Sequence, residues 1–367
     1  MIKKLWPNST TNAQTTLITA LSITWLITKI VTWKLWVTNR QFPLIAPFEW
    51  LQAPNYIHWF LLGTSMLLLM LLFLLPNNKM IYGTLLLVEI SSCILDQNRW
   101  QPWEYQYIFT LFILLVNKKE QVIEVYIFLV SCIYIYSGLN KFHPNFLWLV
   151  WDNMILQGFL KCTPSQAHQP IVYQSGYVLA LIECCCGFAF LFTPSRKIAG
   201  YILIAMHIFI LVLVGPFGLH YNKAIWPWNV LMVVHLFILI RAKIPTTIKA
   251  KNLFIRYNKF VVLCWAILPI LGIWGMWDYY LSSNLYSGQL PKAVICIADT
   301  SKTTSLKKYY NKADLLHKCD GKILINLQTW SMLEMEAPVY PQMRVYKKIE
   351  LYFNKKYPMA KATFVYY

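Results

Sequence analysis

The sequence predicts an all-α polytopic membrane protein of about nine transmembrane helices over residues 1-280, with a small C-terminal α+β extracytoplasmic module over residues 281-367. Three observations predict it. Of 367 residues, 57% are hydrophobic and only 13% charged, a balance far from that of a soluble domain. The apolar residues gather in runs long enough to cross a hydrocarbon core, roughly 17 to 25 residues each. After Gly288 the pattern changes to a small module of short segments that read as strands and a helix, rich in lysine.

The runs fall near 15-36, 56-76, 80-96, 103-117, 121-140, 172-193, 197-215, 226-241 and 259-280. Only helices fit them, because each is continuously apolar and lacks the two-residue alternation of a barrel strand. The third and fourth are short, so the count is nine to within roughly one or two. In the tail, Lys292 to Asp299 and Lys322 to Leu327 read as strands, Val345 to Lys356 as a helix, and Ala362 to Tyr367 as a last strand. About 80 residues make only a modest module. Cys296 and Cys319 both lie in it, and a location outside the cytoplasm permits a disulfide between them. Cys184-Cys185-Cys186, by contrast, points its thiols to different faces of one helix and reads as small packing residues. No metal site is predicted, since Cys-x-x-Cys and paired ligand histidines are missing from the sequence.

A formal charge of +18 would suggest nucleic acid in a soluble chain. Here the basic residues sit mainly in short connections and the tail, so the lipid bilayer is the expected partner and nucleic acid is not. With the N-terminus cytoplasmic, that side collects Lys3, Lys4, Lys79, Lys118, Lys119, Arg196, Lys197, Arg241, Lys243, Lys249, Lys251, Arg256 and Lys259. The opposite loops hold fewer. The asymmetry favours an integral inner (plasma) membrane protein with its N-terminus inside and, for an odd span count, its tail outside. Met1 to Gln14 has no small-residue cleavage site, so no cleaved signal peptide is expected.

Ionisable groups inside apolar runs are costly and mark function by default. Tyr134 to Pro144 ends the fifth run with Gly138, Asn140, Lys141 and His143. Asp96 to Tyr105, which includes Trp100 and Trp103, joins the third and fourth runs, and Trp226-Pro227-Trp228-Asn229 opens the eighth. An interfacial aromatic belt accounts for most of these rings. It leaves Asp96, Arg99, Glu104, Lys141 and Asn229 unexplained, and together they read as a polar pocket opening outward. Glu89, Glu124, Glu183, His207 and His235 fall within runs, and Glu183 and His207, near mid-run, are the better functional candidates. Interhelical hydrogen bonding is the competing account of each.

The segment Tyr134-x-x-x-Gly138-Leu139-Asn140-Lys141-Phe142-His143-x-Asn145-Phe146 resembles one in the vitamin K-dependent gamma-carboxylases and the wider horizontally transferred transmembrane domain family. Gly176 to Phe190 with Glu183, Ser195-Arg196, His207, and Asp96-x-x-x-Trp100 followed by Tyr105-x-Tyr107 extend the likeness over the first eight runs. The resemblance implies a quinol-dependent enzyme, carboxylase-like lyase or oxidoreductase, with a reduced quinone as cofactor and Lys141 as the base that deprotonates it. An apolar surround favours a neutral amine, which suits a lysine to that role. The resemblance also implies that His207 contributes to the site and Asn140 orients the quinol oxygen, while Glu183, Trp100, Trp103, Trp228 and Asn229 shape the pocket. Two departures stand out. Trp103 replaces a family histidine, and the long lumenal region that engages the carboxylases' protein substrates is missing, which implies a bacterial relative with a replaced substrate side. The alternative is a non-catalytic subunit whose extracytoplasmic face docks a partner protein. A transporter with Glu183 and His207 as a proton relay is weaker, since no inverted repeat is visible.

Overall fold

A computed structural model describes residues 10–242, 248–311 and 318–367, side chains of 10–12 and of Lys302 excepted. Lys3, Lys4 and Lys243, used above for orientation, lie outside the described residues, as do residues 1–9 of the segment read for a cleavage site. Each of the nine apolar runs holds helix. The first five are α1 (Thr10–Val31), α2 (Asn55–Leu74), α3 (Lys79–Leu95), α4 (Pro102–Val116) and α5 (Lys119–Leu139). Next come α6 (Pro144–Phe146), which runs on into π-helical Leu147–Phe159, and short α7 (Pro164–Ala167) and α8 (Pro170–Gln174). Then follow α9 (Gly176–Leu191), α10 (Thr193–Val214), α11 (Ile225–Arg241), α12 (Ala250–Leu253), α13 (Asn258–Val262), a π-helical stretch Leu263–Ile267, and α14 (Leu268–Ile273).

Among the described residues, five helical stretches are long and apolar enough to cross a membrane: Ala13–Val31, Asn55–Leu74, Lys119–Leu139, Pro170–Leu191 and Thr193–Val214. The helices of the third and fourth runs are shorter, at 17 and 15 residues. Helix starts follow local chemistry. Asn78 caps α3 through Met80 N–H, Pro102 opens α4 where no donor is needed, and His143 Nδ1 accepts from Asn145 N–H at 3.1 Å before Pro144. Two boundaries differ from the sequence reading. The ninth run stops at Ile273, where Gly275 takes the left-handed conformation at φ +70° that ends helices. Residues 144–159 form a helix that no membrane-length run marked, because Asp152 and Asn153 interrupt its apolar residues.

The helix pair that positions Lys141 is α5 against α9. A Cβ on Gly138 would lie 2.6 Å from Cys184 N and 2.8 Å from Ala180 O, and one on Gly187 would lie 2.7 Å from Ile135 N. Small residues on both helices therefore let the backbones touch, as in tight membrane helix pairs.

The C-terminal module carries a three-stranded antiparallel sheet in the order β2-β1-β3, with β1 (Ala293–Ile297), β2 (Ile323–Asn326) and β3 (Thr363–Tyr366). Two helices, α15 (Leu327–Met335) and α16 (Met343–Lys356), pack with it. The strands and α16 match the sequence reading, and Cys296 and Cys319 form a disulfide. Helix α15 was not expected; Asn326 caps it through Thr329 N–H at 3.1 Å. The module is seated on the membrane domain. Trp330 meets Phe42 edge-on at 4.9 Å, Tyr340 N–H donates to Asn98, and Lys348 donates to the carbonyls of Ala46 and Pro47.

Candidate functional site

The α5–α9 seam brings Lys141, at the C-terminal end of α5, onto Glu183 of α9. Lys141 Nζ donates to Glu183 Oε2 at 2.6 Å, to Ser137 Oγ at 2.7 Å and to the Ser137 carbonyl at 3.2 Å. One turn beyond Ser137 into the bundle, Tyr134 Oη lies 2.7 Å from His207 Nε2, and His207 Nδ1 lies 2.7 Å from Asn229 Oδ1. Asn229 Nδ2 donates to the Ile225 carbonyl at 2.8 Å, which leaves its oxygen to face the imidazole. His207 therefore donates from Nδ1 and accepts the Tyr134 hydroxyl proton at Nε2. Both ring nitrogens are occupied, so the ring reaches a ligand only through Tyr134.

These groups line one cavity of about 360 Å³. Its other walls are aliphatic and aromatic. Leu179, Ile182, Ile202 and Phe209 line it while keeping 38%, 41%, 41% and 38% of their surface exposed, so its open side is apolar. Five of the predicted site residues meet here: Lys141, Glu183, His207, Trp228 and Asn229. Trp228 is tied in place by its indole N–H, which donates to Gln106 Oε1 at 2.8 Å.

The other three lie elsewhere. Asn140 is buried beneath the strap that follows α14, donating to the Ser282 carbonyl at 3.1 Å and accepting from Asn284 at 3.4 Å. Trp100 is half-buried against Tyr105, and Trp103 lines a neighbouring cavity. The expected outward pocket containing Asp96, Arg99 and Glu104 is not formed. Arg99 is fully buried and donates to the carbonyls of Leu35, Ser92 and Trp36 at 3.1, 2.9 and 2.8 Å. Asp96 pairs with Arg40 and accepts from Ile45 N–H and Asn98 N–H. A charge costs too much to bury unless fully hydrogen-bonded, and the connection between α1 and α2 supplies most of the partners of both charges.

Glu104 belongs to a second buried cluster, which the sequence reading did not assemble. Lys29 Nζ donates to Glu89 Oε2 at 2.5 Å and Glu104 Oε1 at 3.3 Å, and sits 3.0 Å from the centroid of the Trp36 ring. Trp25 and Ser65 donate to the remaining carboxylate oxygens. Lys29 carried a signal, being a lone cation in the last turn of an apolar helix. Ser137 carried none, since a hydroxyl in a membrane helix is ordinary.

A helical fold with membrane-length apolar helices, a docked disulfide-bonded module and an ion pair facing an apolar cavity defines the class of this protein. No family model, curated protein or solved structure matches the chain.

Proposed function

We propose that the chain is an integral membrane enzyme that takes a lipid-soluble quinol in the cavity at Lys141 and uses that lysine as the base. The observation that carries the reading is the placement of an ion pair, Lys141 with Glu183, on the wall of a cavity whose open side is apolar. An acidic hydroxyl of a lipid-soluble ring fits such a wall, because the cavity offers apolar surface to the ring and one charged pair to its oxygen. When bound, the quinol supplies reducing equivalents and an ionisable hydroxyl. The protein's part is proton management. Glu183 takes a proton from the Lys141 ammonium, which leaves a carboxylic acid and a neutral amine able to accept the ligand's hydroxyl proton. Ser137 holds Nζ in line through the exchange, and the Tyr134–His207–Asn229 chain orients the Tyr134 hydroxyl oxygen as a hydrogen-bond acceptor at the cavity wall.

The same proposal includes nine crossings with the N-terminus cytoplasmic and the C-terminal module outside. The Cys296–Cys319 disulfide supports that side, since disulfides persist in oxidising compartments. Lys141→Ala in purified membranes should abolish quinol oxidation. Unchanged turnover would remove the base, and modification of Cys296 and Cys319 by a membrane-impermeant thiol reagent only after lysis, in reduced cells, would invert the topology.

A further inference from the structure

An open cavity of about 360 Å³ lies at the other end of the bundle, where the α2–α3 and α4–α5 turns meet the start of α1. Lys79 opens α3, Lys118 and Lys119 open α5, and all three line it. The three lysines are exposed, as is Asn77 on the same wall, so their donors reach the open space. Lys79 Nζ donates to the carbonyls of Leu115 at 3.0 Å and Asn117 at 3.3 Å, which fixes it against the end of α4 and leaves it one further proton to donate. Glu120 is the one carboxylate on the wall, and among the described residues none of the three lysines forms an ion pair. Three ammonium groups against one carboxylate leave an excess of two positive charges around the cavity.

An anion with several acceptor oxygens on one centre suits such a wall, since more than one ammonium group can donate to it at once. Phosphate oxygens have that form, and a lipid head group and a free phosphate share them. The neighbouring surface favours the lipid. Met80, Leu87 and Ile94 are 81%, 70% and 40% exposed and recur at seven-residue intervals, so they share one side of α3. This apolar stripe begins next to Lys79 and runs about 21 Å along the helix, more than the ~15 Å hydrocarbon depth of one leaflet. We propose that the cavity binds the phosphate of an anionic membrane lipid, in the leaflet on the side proposed above as cytoplasmic, with an acyl chain lying on Met80, Leu87 and Ile94. Basic cavities between membrane helices on that side suit such head groups. The site requires that the bundle lie in a membrane and is independent of what binds at Lys141, about 30 Å away along the 21-residue α5.

The test is native mass spectrometry of the full chain in detergent, titrated with dioleoyl phosphatidylglycerol, zwitterionic dioleoyl phosphatidylcholine and water-soluble glycerol phosphate. Phosphatidylglycerol should bind at least about tenfold more tightly than either of the others. Lys118→Gln combined with Lys119→Gln should weaken its binding about tenfold or more, the size expected for the loss of charge-assisted hydrogen bonds. Both side chains are exposed, so the thermal midpoint in phosphatidylcholine should stay where it is. Lys197→Gln combined with Lys259→Gln removes two exposed charges from the same side but none from the cavity, and should leave the preference unchanged. The proposal is overturned if phosphatidylcholine binds as tightly, if glycerol phosphate does, which would make the ligand a free phosphate, if the cavity variant keeps the preference, or if the two double variants lose it equally.

Discussion

Two lysine–glutamate clusters inside the bundle use the same residue types to opposite effect. Around Lys29 the side chains of the cation and of Glu89 and Glu104 are 1%, 1% and 0% exposed, and indole, hydroxyl and ring faces close every side. Around Lys141 the lysine and Glu183 side chains are 13% and 8% exposed, and the pair forms part of a cavity wall. Burial of charge is thus common to both, and access to space is not. The first cluster clamps α1, α3 and α4 together, while the second holds its ion pair where a ligand can compete for it. A buried charge indicates a site only when a cavity reaches it.

That contrast is open to attack by substitution. Lys29→Met strands two buried carboxylates without their cation and should cost about 3–5 kcal/mol, seen as loss of monodisperse protein in detergent or a large fall in the thermal midpoint. Unaltered stability would break the distinction between the clusters. Gly138→Ala should follow, at about 1–3 kcal/mol, because the new methyl group forces α5 from α9. It should also separate Lys141 from Glu183 and, on the proposed function, lower quinol turnover, so wild-type turnover in a destabilised variant would uncouple the seam from the site. Lys141→Met should cost only about 1 kcal/mol, since Glu183 can take water or a proton from the cavity, and a cost equal to that of Lys29→Met would make the second cluster structural.

The smallest effect lies in the module. Desolvation raises the Glu334 pKa, but hydrogen bonds from Tyr309, Gln41 N–H and Lys308 outweigh it and set the carboxyl below its ordinary range. A folded-state pKa below the unfolded one stabilises fully above the ordinary carboxylate range, about pH 4–5, and that contribution disappears as pH falls through the lowered value. Acidification from pH 6 to pH 3 should therefore loosen the module's hold on residues 33–42, read by protease cleavage there. The same profile in Glu334→Gln would exclude this carboxylate as the clamp.

Much of the fold was legible because apolar runs dictate helix regardless of tertiary context. All nine runs contain helix, and the strands of the module fall on its short β-branched apolar segments. The helix over 144–159 was not, since its hydrophobicity faces one way and Asp152 is satisfied by Gln157 and His168, partners that periodicity does not reveal. At the site, Lys141, Glu183, His207 and Asn229 were visible as polar groups in apolar surroundings. Asp96, Arg99 and Glu104 had the same appearance and turned out to be sealed. One-dimensional reading finds the cost of burying a charge but not the partners that offset it.

The seating of the module has a consequence for how the chain is made. Gln101 donates to the Pro338 carbonyl, Asn98 accepts from Tyr340 N–H, Gln97 accepts from Arg344, and Asp278 is held by Tyr340 and Arg344. Synthesis proceeds from the N-terminus, so the loop between α3 and α4 emerges more than two hundred residues before these partners do. Until the last strand is laid down, that loop waits with its hydrogen-bonding groups in water. A message cut short near residue 288 would yield every membrane helix and still leave that loop uncovered, a ready mark for the cell's proteases.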